Sequence, residues 1–320
     1  MCSNLDLQKQ VPCPDSELFF SEAAAPVHNA FHARNFAALD DLYTRWCSGA
    51  DRFPDGTWKL SRYGRNMHDL FTMWNAWTKH LDDINTWQQA RPASVAARFV
   101  EAVYWRAYAW RARGRGYSRE VSKEGWELFR ERMNRSKEVL EPLLGSDPGC
   151  PAPYALMIEV LTDIGAPAAS VRSIFDEGVR KFPEYHGMYF AMARYYEPKW
   201  GGSLSQYERF ADEATKLTSA FEGAGMYSRI YWLVDNPAGV PFDGLETKPP
   251  RWMKLKSGFE DLMRRYPSSL HNLAQFTSVA CRSEDSALYR TLRAKLVGYE
   301  SQMQTGDAID VCDRRHHWTP

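Results

Sequence analysis

The chain has 320 residues, with 40 Lys plus Arg against 40 Asp plus Glu, so its formal net charge is zero. No global field draws it to nucleic acid or to an anionic membrane. Its 12 Trp, 16 Tyr and 16 Phe mark a folded chain rather than a disordered one, and no apolar run approaches the roughly 18 residues that a bilayer-spanning helix needs. The cysteines Cys2, Cys13, Cys47, Cys150, Cys281 and Cys312 are widely and irregularly spaced with no CxxC pair. That argues against a zinc ribbon or a thioredoxin-type centre, and reduced thiols are the expectation. Met1 to Val11 carries no apolar stretch of the secretory kind. A soluble, cytoplasmic chain without membrane association is expected.

In chain order, residues 1–16, with Pro12 and Pro14, read as a flexible arm. Residues 17–147 read as an N-terminal helical region. Helical patterning runs from Ser16 to about Arg34 and from Phe36 to Trp46, where Leu39, Leu42 and Trp46 share a face. Asp51 to Thr57 is a turn set by Pro54 and Asp55-Gly56. Helical periodicity resumes with Met67, Leu70, Phe71, Trp74 and Trp77. A long helix opens at Pro92 to Ser94, carries Val95, Phe99, Val103, Tyr104, Ala107 and Trp110, and ends at Gly114, since glycine tolerates a left-handed cap. Another runs from Ser122 to about Leu144, before the breaker-rich stretch Gly145 to Pro153.

Residues 148–302 read as TPR-like helical hairpins. The segment Ser173 to Pro183 (SIFDEGVRKFP) reappears as Ser257 to Pro267 (SGFEDLMRRYP). Each copy is the end of an amphipathic helix stopped by proline and followed by a second helix, the mark of stacked helical hairpins. Val171, Phe175, Gly178 and Pro183 follow the tetratricopeptide spacing, as do Leu255, Phe259, Leu262 and Pro267, although Val171, Leu255 and Leu262 are bulky where that repeat wants a small residue. Their separation is not a multiple of the roughly 34-residue tetratricopeptide period, and Pro198 to Ser203 and the proline-rich stretch Asn236 to Pro250 read as insertions. Residues 303–320 read as a frayed polar tail. With no convincing strand, the expected fold is all-α: an irregular TPR-like helical-hairpin array, α-solenoid-like.

The elements Phe53 to Leu60 (FPDGTWKL), Tyr108 to Gly114 (YAWRARG), Trp200 to Ser203 (WGGS), Gly225 to Trp232 (GMYSRIYW) and Trp252 to Pro267 together resemble a bacterial family known as domain of unknown function 4034, over about Leu39 to Leu296. The resemblance implies an all-helical, repeat-like fold. It implies no activity and no functional residues.

Chemistry-bearing patterns are sparse. There is no GxxxxGK[ST], no GxGxxG opening a helix after a strand and no GxSxG elbow. His28 and His32 stand at i, i+4, but without a third ligand. Cys312, His316 and His317 sit in the tail. Asp40-Asp41, Asp82-Asp83 and Glu260-Asp261 are adjacent pairs, which diverge by about 100° on a helix and do not converge on one group. His80 with Asp82 lacks a nucleophile beside it. No catalytic residue, metal ligand or cofactor is expected.

Two patterns suit a surface. Arg106, Arg111, Arg113 and Arg115 alternate with Trp105, Tyr108 and Trp110; as one exposed stripe they would suit RNA or DNA. Tyr227, Arg229, Tyr231 and Trp232 form the densest aromatic cluster with a cation, the residue types that dominate binding hot spots. The sequence reading is a non-enzymatic module that binds a protein partner on a concave aromatic face. Tyr189, Tyr196 and Arg229 would line that face, Tyr227, Tyr231 and Trp232 would join it, and Trp200 would sit at its rim. An adaptor, an assembly factor or a toxin-neutralising partner would fit. An enzyme or small-ligand binder with a helical cavity is the alternative, and a nucleic-acid binder using Arg106 to Arg115 the further one.

Overall fold

The computed structural model describes residues 15–114, 116–145, 149–234, 251–300 and 309–319. Among these, regular secondary structure is helical throughout, apart from one antiparallel bridge between Arg52 and Trp58. No helix among the described residues is long and apolar enough to cross a membrane. The chain divides into two compact units. The N-terminal one comprises Phe20–Arg52 and Thr57–Tyr195, and the C-terminal one Met1–Phe19, Phe53–Gly56 and Tyr196–Pro320. Helices of the 148–302 stretch thus fall in both.

The N-terminal unit runs through α1 (Asp15–His32, joining it at Phe20), α2 (Phe36–Cys47), α3 (Leu60–Trp74), α4 (Trp77–Ala90), α5 (Val95–Arg113), α6 (Lys123–Leu144), α7 (Ala152–Asp163), α8 (Ala168–Lys181) and α9 (His186–Tyr195). Side chains start three of these helices by accepting otherwise orphaned backbone N–H groups: Asn35 from Ala38, Ser94 from Ala97 and Ser122 from Gly125. The periodic stretch from Met67 to Trp77 is two helices, because Asn75 turns left-handed at φ 48°. α5 is the hub and packs on α2, α3, α4, α6 and α7. Its Ala96, Ala102 and Ala109 are buried, and such small residues let a neighbouring backbone approach closely. Ser136 of α6 donates to the Ala102 carbonyl at 2.8 Å. Aromatic rings fill the rest, as where Phe36 stacks on Trp87 with centroids 5.6 Å apart.

The C-terminal unit holds the 3-10 turn Pro198–Trp200, then α10 (Leu204–Glu222), α11 (Gly225–Val234), α12 (Arg251–Arg265), α13 (Leu270–Arg282), α14 (Ser286–Ala294) and α15 (Ile309–Arg315). Consecutive helices from α10 to α14 pack in series within this unit where the chain is described. α13 is buried over ten successive residues, Asn272 to Cys281. In the Trp200 to Ser203 turn, a Cβ on Gly202 would lie 2.1 Å from the Tyr196 carbonyl oxygen, so only glycine fits there.

Two expectations are corrected. The thiols are not reduced: Cys47 is bonded to Cys150 and Cys281 to Cys312, with Cα separations of 5.1 and 5.8 Å. No described cysteine is free. The tail does not fray over 309–319. There α15 buries Cys312 and His316, and Asp313 accepts from the Tyr289 hydroxyl at 2.5 Å. Polar side chains hold it in place through paired hydrogen bonds, which hydropathy alone does not reveal. The arm up to residue 14, the proline-rich insertion and Arg115 lie outside the described residues.

Candidate functional site

The predicted contact residues are mostly core. Tyr189 is fully buried in the N-terminal unit, edge-on to Phe175 and donating to the Pro183 carbonyl at 2.9 Å. Tyr227, Arg229 and Tyr231 are buried in the C-terminal unit. These four therefore do not line an open face: each polar tip is satisfied internally. Tyr196 is half-buried against Phe210. Trp200 is half-buried in its 3-10 turn, and Trp232 is half-buried against His271, centroids 4.2 Å apart.

Tyr227 and Tyr231 converge on a residue that the sequence did not single out, Glu208 of α10. Its carboxylate accepts from Tyr227 at 2.7 Å, from Tyr231, from Arg251 Nε at 2.9 Å and from Lys254 Nζ at 3.1 Å. Lys254 also holds Asp212 at 2.6 Å. The cluster is partly open, with 23% of the Glu208 side chain exposed. Burial pushes the Glu208 carboxyl up, but the hydrogen bonds of Tyr227, Tyr231, Lys254 and Arg251 outweigh it and bring it down to about 2. Burial, reinforced by Glu208, pushes both phenols upward. At neutral pH the carboxylate is a quenched base and the phenols hold their protons. The arrangement suits holding three helices together better than proton transfer.

Arg229 forms a second, closed network. It donates to Glu222 at 2.8 Å and to the Asp55 carbonyl, and it lies over the Tyr266 ring at 5.4 Å. Tyr266 donates to Glu222 at 2.8 Å. Nearby, burial outweighs Asp55 and lowers His271 to about 4, leaving it neutral.

The arginine stripe does not form among the described residues. Arg106 points inward to Asp163 at 2.8 Å and Glu159 at 2.7 Å. Asp163, fully buried, also takes Arg194 at 2.6 Å and Trp110 Nε1 at 3.0 Å. Arg113 caps the end of its helix, donating to the Gly114 and Gly116 carbonyls between the rings of Trp110 and Trp126. Arg111 alone is exposed, donating to Asn75 at 3.3 Å. The histidines also separate. His28 Nε2 meets the Asn66 carbonyl at 2.9 Å, while His32 sits edge-on to Trp74. His80 is buried between Phe31 and Phe71, and neither ring nitrogen has a hydrogen-bond partner. It does not reach Asp82. No group of three His, Cys, Asp or Glu among the described residues is arranged to hold a metal.

An exposed aromatic surface lies elsewhere. At the end of α3, Met73 is 68% and Trp74 63% exposed. Arg111 donates to the next residue, Asn75, at 3.3 Å, and in the same unit Arg34 and Lys79, both mostly exposed, share the buried Asp83. Asp82, next to it on α4, is exposed. Trp74 entered the sequence reading only as a helical-face residue. The signal that could have found it is Asn75, since a helix that stops there leaves its last turn without a following turn to cover it.

A family model described as Domain of unknown function (DUF4034) matches residues 23–186. Of the quoted sequence elements, Phe53 to Leu60 and Tyr108 to Gly114 lie inside that span and the other three beyond it. No curated protein and no solved structure matches the chain.

Proposed function

We propose that this chain, which belongs to the DUF4034 family, is a non-enzymatic protein-interaction module whose helical hairpins are TPR-like and whose contact surface is the Met73–Trp74 patch. The exposure of that pair carries the reading. A tryptophan and a methionine side by side in water cost free energy in the isolated chain, and both residue types are enriched where protein interfaces form. Arg111 beside the pair, with Arg34 and Lys79 exposed in the same unit, favours a partner segment that presents an apolar side chain flanked by carboxylates. The polar clusters at Glu208, Arg229 and Asp163 support the reading from the other side, since each is satisfied internally and works as a brace.

The test is a photo-crosslinking amino acid placed at Trp74 in the native host, with Glu127 on the exposed side of α6 as the control position. The crosslinked species is identified, purified and titrated against the unmodified chain. A defined protein crosslinked from Trp74 and not from Glu127, whose binding weakens at least tenfold on Trp74→Ala, is the expected result. Equal crosslinking at both positions, or binding indifferent to Trp74→Ala, overturns the proposal.

A further inference from the structure

We infer that this chain matures and works in an oxidising compartment, outside the reducing cytosol, and that its Cys281–Cys312 disulfide is a permanent lock. The cytoplasmic expectation rested on the irregular cysteine spacing and on the lack of an apolar stretch in Met1 to Val11, and the fold removes the first of these grounds. All four described cysteines are paired. Each bond lies within one compact unit: Cys47–Cys150 in the N-terminal one, Cys281–Cys312 in the C-terminal one. Their sequence separations, 103 and 31 residues, are bridged by folding rather than by proximity along the chain. Chains kept in a thiol-reducing cytosol rarely hold such bonds, whereas secreted and periplasmic ones do.

The surroundings of Cys281–Cys312 show that its sulfurs meet in a built site. His316, buried, donates from Nε2 to the carbonyl of Cys281 at 2.9 Å and accepts at Nδ1 from the Ser286 hydroxyl at 2.9 Å. Arg290 donates to the His316 carbonyl at 3.1 Å. Arg293 pairs with Asp313 at 3.2 Å and lies under the Trp318 ring at 4.0 Å. These contacts surround the bond with polar partners on both of the helices that it joins. Both sulfur-bearing residues are fully buried. Exchange needs a thiolate to reach a sulfur, so a bond sealed in this way is a poor switch.

Formation requires a disulfide-bearing protein oxidant. One cysteine thiolate attacks the oxidant's disulfide and displaces one of its sulfurs. The second thiolate then attacks the mixed disulfide. Each pair gives up two electrons and two protons, and the oxidant leaves as a dithiol. By extension, the partner sought at Trp74 is a protein met in that same compartment.

The test is thiol trapping on material from the native host. Cells are quenched in acid, unfolded and alkylated with one mass label, then reduced and alkylated with a second. Peptides bearing Cys47, Cys150, Cys281 and Cys312 are expected to carry only the second label. Either pair carrying the first label overturns the compartment inference. The lock is read separately by adding dithiothreitol to the folded protein. Cys281 and Cys312 are expected to stay unlabelled until denaturant is added, and labelling in the folded state overturns it. Neither result bears on the Trp74 crosslink, which reads contact and not thiol state.

Discussion

The two copies of the repeated pattern, α8 in the N-terminal unit and α12 in the C-terminal unit, reach close helix packing by opposite routes. In both, the aromatic residue is fully buried, as Phe175 and as Phe259. Three residues on, the first copy has Gly178. A Cβ there would sit 3.1 Å from the Tyr154 Cβ of α7 and 2.4 Å from the Met188 sulfur of α9. The second copy has Leu262 at that place, and a glycine of the facing helix meets it. It is Gly225 of α11, where a Cβ would lie 2.6 Å from Leu262 Cδ2. A narrow helix contact needs one small residue, and either partner can supply it. The bulky residue that departs from the tetratricopeptide pattern is therefore answered on the facing helix. The aromatic registers differ in step: Phe175 meets Tyr189 edge-on, whereas Phe259 stacks on Phe276 with centroids 5.0 Å apart.

The largest effect that probes this comparison comes from the aromatic pair. Phe175→Ala and Phe259→Ala should each lower stability by about 3–5 kcal/mol, read from denaturant unfolding followed separately in each unit. If one copy loses less than about 1 kcal/mol, the two are not equivalent packing units. A smaller effect tests the swap. Gly225→Ala should cost about 1–3 kcal/mol by overpacking, and adding Leu262→Ala should recover part of it, with a coupling of about 1 kcal/mol or more in a double-mutant cycle. Gly178→Ala combined with Leu262→Ala should be additive. Additivity in the first cycle would sink the complementary-swap account.

A further effect is a pH dependence carried by the second copy. His271 stands four residues past Pro267, where the first copy has Gly187. Its folded value is lowered to about 4 by burial, with Arg229 adding to it and Asp55 opposing. A histidine lowered on folding gives stability that is complete above its ordinary value of about 6.5 and is lost as pH falls through about 4. The protection of α13 amides against exchange, taken relative to their intrinsic rates at each pH, should therefore fall between pH 6.5 and 4, and His271→Phe should flatten that profile. An unchanged profile in that variant would assign the acid lability to another group.

The sequence made the helices, the proline stops and the repeated pattern legible, because each is written locally: periodicity, a cap, a breaker. It missed what depends on distant partners. Glu208 sits in the polar run SQYERFADE and carries no local mark; its four donors lie 19 to 46 residues further along the chain. Arg106 sits on a helix face that, read alone, points to solvent, and Asp163, 57 residues away, draws it inward together with Glu159. Cysteine pairing is invisible at separations of 103 and 31 residues. The tail helix was closer to reach, since Asp310 and Arg314 form an i, i+4 pair beside the buried Cys312.

The hydrogen bond from Arg229 to the Asp55 carbonyl joins groups 174 residues apart. A ribosome adding about 5–20 residues per second delivers the two on the order of ten to thirty seconds apart. The Phe53–Gly56 segment thus emerges early and waits, unable to take its final place until the guanidinium is translated. Truncation before Arg229 leaves the segment without that anchor.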